Sequence, residues 1–368
     1  MTDWVGPIDH CLYLPRCTRT HTISLLEYLS FKHRSRSISM FKRILVPLDG
    51  SGRAERALPI AARLARASGG SILLVRVVST EPASLPSAPK PILIQTVGEA
   101  DRMLAESYLA GVAGSDLLSG ISVQTSVPVG LVSPSILSEA DDKRADIIVM
   151  CSHGYTGVRH WWMVGSVAAK VARFAQVPVL VLREGGSVPE ERHAGERPLR
   201  VLVPLDGSDY ARAALVPAAS LAAALAAPGQ GALHLTHVVQ PTHDARVATR
   251  TARTTARTAQ DTQTALNMAR EYLAATVQQI RDRSRVSGIA DLNLELTSSV
   301  TTDDDIAQGI IRVAENGGDD EGAEVFGGCD AIAMTTQGYS GPQPWVGSVA
   351  ERVLETSRLP LLFVRPGA

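Results

Sequence analysis

The sequence lacks four features that would each announce a different kind of protein. It carries almost no net charge: 36 basic residues stand against 37 acidic ones over 368 positions, so the whole-molecule field that nucleic acid or an anionic membrane surface selects is missing. No apolar run reaches the roughly 18 to 20 residues that span a bilayer. The four cysteines, Cys11, Cys17, Cys151 and Cys329, fall in unrelated segments, which argues against a disulfide scaffold and suits a reducing cytosol. No Gly-Lys-Ser/Thr is present, so there is no Walker loop to bring a lysine and Mg²⁺ to a terminal phosphate.

What the chain does have is repetition. Phe41-Lys-Arg-Ile-Leu-Val-Pro-Leu-Asp-Gly-Ser51 returns as Leu199-Arg-Val-Leu-Val-Pro-Leu-Asp-Gly-Ser208, and Gly165-Ser-Val-Ala-Ala-Lys-Val171 returns as Gly347-Ser-Val-Ala-Glu-Arg-Val353. A period of this length is too long for a solenoid unit and suits one whole domain. The expected organisation is an extension over 1–39, a first domain over 40–184, a polar linker over 185–197 and a second domain over 198–368. Residues 1–39 have no counterpart before the second repeat. With Met40 directly before the first strand, they are expected to be a disordered leader or translation assigned too far upstream, and the order of charged head, apolar core and cleavage site that marks a signal peptide is absent. Cys11-x5-Cys17 is not zinc-finger spacing.

Within each repeat, short apolar runs alternate with helical spacing. The first repeat predicts strands at 44–46, 71–78, 121–127, 146–150 and 179–182. Between them fall helices over 54–65, over 97–112, from Ser133 as N-cap with Pro134 at the first helical position, and over 167–174. The second predicts strands at 200–203, 233–239, 292–298, 331–334 and 361–364, with helices at 209–225, 262–283, 303–315 and 348–356. Strand–helix alternation means βαβ units and one parallel sheet per domain, an α/β fold. Pro59 and Pro217 fall inside the first helices, where kinks are expected. Arg246, Arg250, Arg253 and Arg257 would stripe one helix face, as a solvated surface or a dock for acidic groups. The insertion 317–328 reads as an exposed loop.

In such a sheet, ligands bind beyond the carboxyl ends of the strands. Asp49 and Asp206 end strand one on the same Pro-Leu-Asp-Gly-Ser turn, where a carboxylate can accept from the amine edge of a purine or merely form the turn. Cys151-Ser-His-Gly-Tyr-Thr-Gly157 leaves strand four, and Gly165-Ser166 then opens a helix. Such glycines let backbone approach a phosphate, and the helix start favours an anion. Gly338-Tyr-Ser-Gly341 and Gly347-Ser348 repeat the arrangement. His153 would polarise a phosphate or pack on its turn; Cys151 would sense oxidants or lie inert. No set of nucleophile, base and orienting residue is visible, so no catalytic residue and no metal site are assigned.

These motifs together resemble the universal stress protein family over nearly all of residues 41–366, in two copies. The resemblance implies two Rossmann-like (adenine nucleotide alpha hydrolase-like) domains, each a five-stranded parallel sheet with helices on both faces, usually paired as a dimer. In the family's nucleotide-binding branch, ATP is held by an Asp after strand one, a Val after strand two and a Gly-x2-Gly-x9-Gly-Ser/Thr motif. Carried over, these imply Asp49 and Val77 at adenine with Gly154, Gly165 and Ser166 on the phosphates, and in the second copy Asp206, Val238, Gly338, Gly347 and Ser348. Cys151 and Thr335 stand at the motif's first Gly. Ten residues separate Gly154 from Gly165 and eight separate Gly338 from Gly347, against nine in the motif. Gln337 replaces the usual His, and Pro342 and Pro344 remove two N–H donors, so the first site is expected to be the better one.

The expectation is therefore a cytoplasmic tandem stress protein binding ATP, alone or with Mg, as a regulatory input. It would have its two domains as an internal pseudo-dimer, room for a further homodimer, and no nucleic acid or membrane partner. An interaction scaffold with degenerate sites is the alternative, and a slow ATPase the third reading.

Overall fold

The computed structural model describes residues 40–79, 91–152, 165–183, 197–241, 252–282, 289, 292–317, 327–336 and 347–366. The expectations for 1–39, the linker beyond Arg183, the loop insertion between Gly317 and Gly327, and Arg246 and Arg250 lie outside these residues.

The first repeat runs β1 (Arg43–Pro47), α1 (Gly52–Glu55), α2 (Ala57–Ser68), β2 (Ser71–Val75), β3 (Val78–Ser79), α3 (Pro91–Ala113), β4 (Ser122–Ser126), β5 (Val129–Gly130), α4 (Val132–Asp142), β6 (Ile147–Cys151), α5 (Ser166–Phe174) and β7 (Val179–Leu182). The second runs β8 (Leu199–Pro204), α6 (Asp209–Arg212), α7 (Leu215–Ala226), β9 (Gly231–Val239), α8 (Ala252–Arg281), β10 (Leu294–Thr302), α9 (Ile306–Asn316), β11 (Ala331–Thr335), α10 (Ser348–Thr356) and β12 (Leu361–Val364). Within each repeat the five main strands pair in parallel, in the order β4-β2-β1-β6-β7 and β10-β9-β8-β11-β12. The fold is α/β, a Rossmann-like sheet made twice. Chain order reverses between β1 and β6, and again between β8 and β11, which puts a switch point at the carboxyl edge of each repeat.

Alternation along the strands divides the core between the two sheet faces. Ile44, Val46, Leu74 and Val149 join Val201, Leu235 and Ala333 on one face, under α2 and α7. Leu45, Val75, Ile148 and Met150 join Leu202, Ile332 and Phe363 on the other, against α4, α5, α9 and α10. The repeats meet at their last strands: β7 and β12 pair antiparallel, Val181 opposite Leu361, Leu180 opposite Leu362 and Val179 opposite Phe363. Leu180 and Leu362 are equivalent positions of the two repeats, so this pairing is isologous. Above the seam α2 packs on α7, where the Arg63 guanidinium donates to the Leu225 carbonyl.

Three expectations are corrected by one physical rule. The first helix of each repeat does not run through as one helix; it breaks at Arg56 and at Ala213–Ala214 and restarts. Pro59 and Pro217 then occupy the third helical position and kink nothing. The helix expected to be capped by Ser133 starts at Val132, with Leu131 as N-cap and Ser133 buried, so Pro134 is again third. The first four N–H groups of a helix have no intrahelical acceptor, so a proline there loses no hydrogen bond. The strand expected over 71–78 ends at Val75 and resumes as β3 beside β5, whereas β9 runs unbroken to Val239. Arg253 and Arg257 fall within α8. Among the described residues no helix is long and apolar enough to cross a membrane.

Candidate functional site

The two Asp-Gly-Ser turns are built alike. Asp49 Oδ1 accepts from Ser51 N at 2.9 Å and Ser51 Oγ at 2.6 Å; Asp206 Oδ1 accepts from Ser208 N at 2.9 Å and Ser208 Oγ at 2.6 Å. Each serine is also the N-cap of the helix that follows, its Oγ accepting from Ala54 N or Ala211 N, a bond that contributes about 1 kcal/mol. Gly50 and Gly207 both sit at φ +87°, a left-handed turn that a side chain would strain. The aspartates thus act as turn formers, and that same role holds an exposed carboxylate at the carboxyl edge of β1 and β8.

The loops after strand four are also closed alike. Gly165 N donates to Ser152 O at 2.7 Å, and Gly347 N donates to Thr336 O at 2.7 Å. Gly165 and Gly347 are N-caps of matching conformation, φ −60° and ψ 146° against φ −61° and ψ 150°. The loop lengths differ between the copies, yet the helix starts do not. The following N–H groups of α5 and α10 have no intrahelical acceptor and carry the positive end of the helix dipole, which favours an anion by about 0.3–1 kcal/mol. Ser166 and Ser348 are exposed at those starts. His153, Gly154 and Gly338 lie outside the described residues.

In the second repeat the structure brings Asp206, Val238, Thr335, Gly347 and Ser348 around one cleft of about 250 Å³. Its floor is apolar, supplied by Ile306, Ile310 and Met334. Val238 is fixed from behind by Gly309, where an added Cβ would lie 2.8 Å from Val238 Cγ1. Thr335 and Thr336 are buried at the end of β11. In the first repeat, Asp49, Val77, Cys151, Gly165 and Ser166 occupy the equivalent ends of β1, β2, β6 and α5. Cys151 is half-buried, its Sγ 3.9 Å from the Ala54 carbonyl.

The residue before each valine was not anticipated. His237 lines the second cleft and meets Tyr272 edge-on, ring centroids 6.4 Å apart. Burial lowers its pKa, against the opposing pull of Asp206 and the Leu205 carbonyl, and so favours the uncharged ring. The equivalent residue in the first repeat is Arg76, whose guanidinium stacks over the Tyr108 ring at 4.9 Å from the centroid. It lies 3.2 Å from where a Cβ on Gly50 would sit. Tyr108 donates to Glu55 Oε1 at 2.8 Å, and its hydroxyl pKa is raised by burial and then by that carboxylate. The register of β2 and β9 on β1 and β8 aligns Arg76 with His237; the two repeats of the sequence, set side by side, carry that signal.

The model of the universal stress protein family matches residues 40–183 and again 199–365. The chain belongs to the universal stress protein family. Among curated relatives, Universal stress protein MJ0531 of Methanocaldococcus jannaschii is 29% identical over 147 residues, 40% of this chain and 84% of that one. A universal stress protein of Thermus aquaticus is 33% identical over 147 residues, 39% of this chain and all of its own length. These relatives therefore match about one repeat. Over both repeats, the crystal structure of a universal stress protein from Archaeoglobus fulgidus superposes with a TM-score of 0.54 at 19% identity, covering 88% of this chain and 96% of that one. Membership of this tandem family supports a role in the response to stress.

Proposed function

We propose that this tandem universal stress protein is an ATP-binding regulatory module of the cytosol, in which nucleotide occupancy acts as a signal. The carrying observation is the convergence of Asp206, Val238, Thr335, Gly347 and Ser348 on one cleft with an apolar floor and a helix N-terminus at its end. A flat base fits the apolar part and a phosphate chain fits the free N–H groups. Asp206 would accept from the amine edge of the base. The same turn and the same helix start in the first repeat give Asp49, Val77, Gly165 and Ser166 the corresponding roles. Cys151 and Cys329 form no disulfide, which suits a reducing compartment. The isologous β7–β12 seam supports an internal pseudo-dimer, the repeats standing as two subunits would.

Titration calorimetry of the purified chain with ATP, compared with Asp206→Ala, Asp49→Ala and Gly165→Val, tests the reading. Binding by wild type that weakens in the variants is expected; wild type that binds nothing at millimolar ATP overturns it. The scaffold reading is favoured by Thr335, a buried side chain where the family's motif has its first glycine.

A further inference from the structure

One contact between the repeats breaks their symmetry at the second cleft. Arg173, in the last turn of α5, reaches across the seam to Glu351, with Nη2 2.6 Å from Oε1. Glu351 lies in the first turn of α10, its N–H bonded to the carbonyl of Gly347. It is therefore a fixed negative charge one turn from the N–H groups of Ser348, Val349 and Ala350 that line the cleft. A carboxylate at a helix N-terminus stabilises the helix when the site is empty, but it opposes any anion brought to the same place.

The reciprocal contact does not exist. At the positions equivalent to Glu351 and Arg173, the repeats carry Ala169 and Glu355. The first cleft thus has no acidic residue at that point of its helix and no cation to answer it. Arg352, the neighbour of Glu351, is turned instead to Asp305 at 2.7 Å, while Glu351 pairs with Arg173.

We infer that Arg173 is a positioning residue supplied by the first repeat, which neutralises Glu351 and so lets the second cleft accept an anionic ligand. This rests on the cleft being a nucleotide site. Its consequence is directional: the helix that begins at the phosphate end of the first site terminates on the charge that tunes the second, with no return contact.

The test uses the full chain with Asp49→Ala throughout, so that calorimetric ATP binding reports the second cleft. Arg173→Ala is expected to weaken binding about threefold to tenfold, the effect of one partly screened charge about two turns of helix away or nearer. Arg173→Lys should stay within about twofold of its parent. Glu351→Gln should tighten binding about threefold, and added to Arg173→Ala it should restore the parent affinity. A seam bond of purely structural value would make Glu351→Gln weaken binding as Arg173→Ala does, and that result overturns the inference while the cleft remains a nucleotide site. Unchanged affinity in Arg173→Ala does the same. A parent chain that binds no ATP at millimolar concentration, beside a wild type that binds, removes the second cleft as a nucleotide site and the inference with it.

Discussion

The carboxyl edges of the two repeats share a backbone and differ in charge. In the first, Arg76 stacks on Tyr108 and Tyr108 is tied to Glu55, so a cation, a ring and an anion succeed one another beside Asp49. In the second, the ring of His237, its pKa lowered by burial, meets Tyr272 edge-on, and Arg212, at the position of Glu55, donates to Gln279 at 2.6 Å. The turns beneath are the same to within a tenth of an ångström in their Asp–Ser bonds. Duplication has therefore kept the hydrogen bonds that shape the loops and released the side chains that stand beside them. The two edges are one backbone geometry carrying two sets of side chains.

At neutral pH the largest expected effect falls on the second repeat alone. Gly309→Val would drive a side chain into Val238 and Asp303, whose nearest atoms lie 2.8 and 2.9 Å from the new Cβ. Overpacking of this kind costs about 1–3 kcal/mol, so a lowered melting temperature and loss of ATP binding at the second cleft, with the first site retained, are expected in calorimetry. Equal loss at both sites would show that the repeats are not independent.

The turns should respond equally where the ligand-facing groups do not. Asp49→Ala and Asp206→Ala each remove two hydrogen bonds from an exposed turn, a loss of about 1 kcal/mol apiece in denaturant unfolding. Their effects on ATP binding should differ, because Arg76 stands beside one turn and His237 beside the other.

Acid should separate the repeats as well. His234 is buried in β9 with one ring nitrogen 2.8 Å from Thr297 Oγ1 and the other 2.8 Å from Ser299 Oγ, where the first repeat has Leu73. Burial, and then Arg200, bring its pKa down to about 3. The unfolded chain takes up this proton first, so the stability it contributes is full above the ordinary histidine pKa and is lost as pH falls from there towards 3. The loss is about 1.4 kcal/mol per pH unit for one proton. Chemical denaturation at several pH values should show that slope, and His234→Leu should lower it by one proton. An effect the size of the turn variants belongs to the first repeat: Tyr108→Phe deletes the bond to Glu55 and should cost about 1 kcal/mol in denaturant unfolding.

Much of this was legible in the sequence because apolar periodicity is redundant. The bounds of β7, α10 and β12 are those expected from a few residues each, since every position of those strands is buried. Helix starts were less legible. Ser133-Pro134 has the composition of a cap, but buried Ser133 packs inside the helix, and the third-position rule shared by Pro59, Pro134 and Pro217 shows only in the folded chain. The candidate residues of the second cleft were legible by repetition. The unequal loop lengths suggested that the first site is the better one; at their described ends both loops close on the same 2.7 Å bond. The link from Arg173 to Glu351 joins residues far apart in the chain, and no local pattern could have pointed to it.

The seam between β7 and β12 has a last consequence. Because Leu180 faces Leu362 and the flanking pairs exchange places about that point, the first repeat of one molecule would meet the second repeat of another through the same strand pairing as its own. Pairing within the chain would be favoured by the local concentration that a covalent connection imposes, and by the Arg173–Glu351 ion pair that crosses the seam. A sheet joined at so symmetric a seam is one whose halves two copies of the chain would be able to exchange, and a concentration-dependent mass in solution would report it.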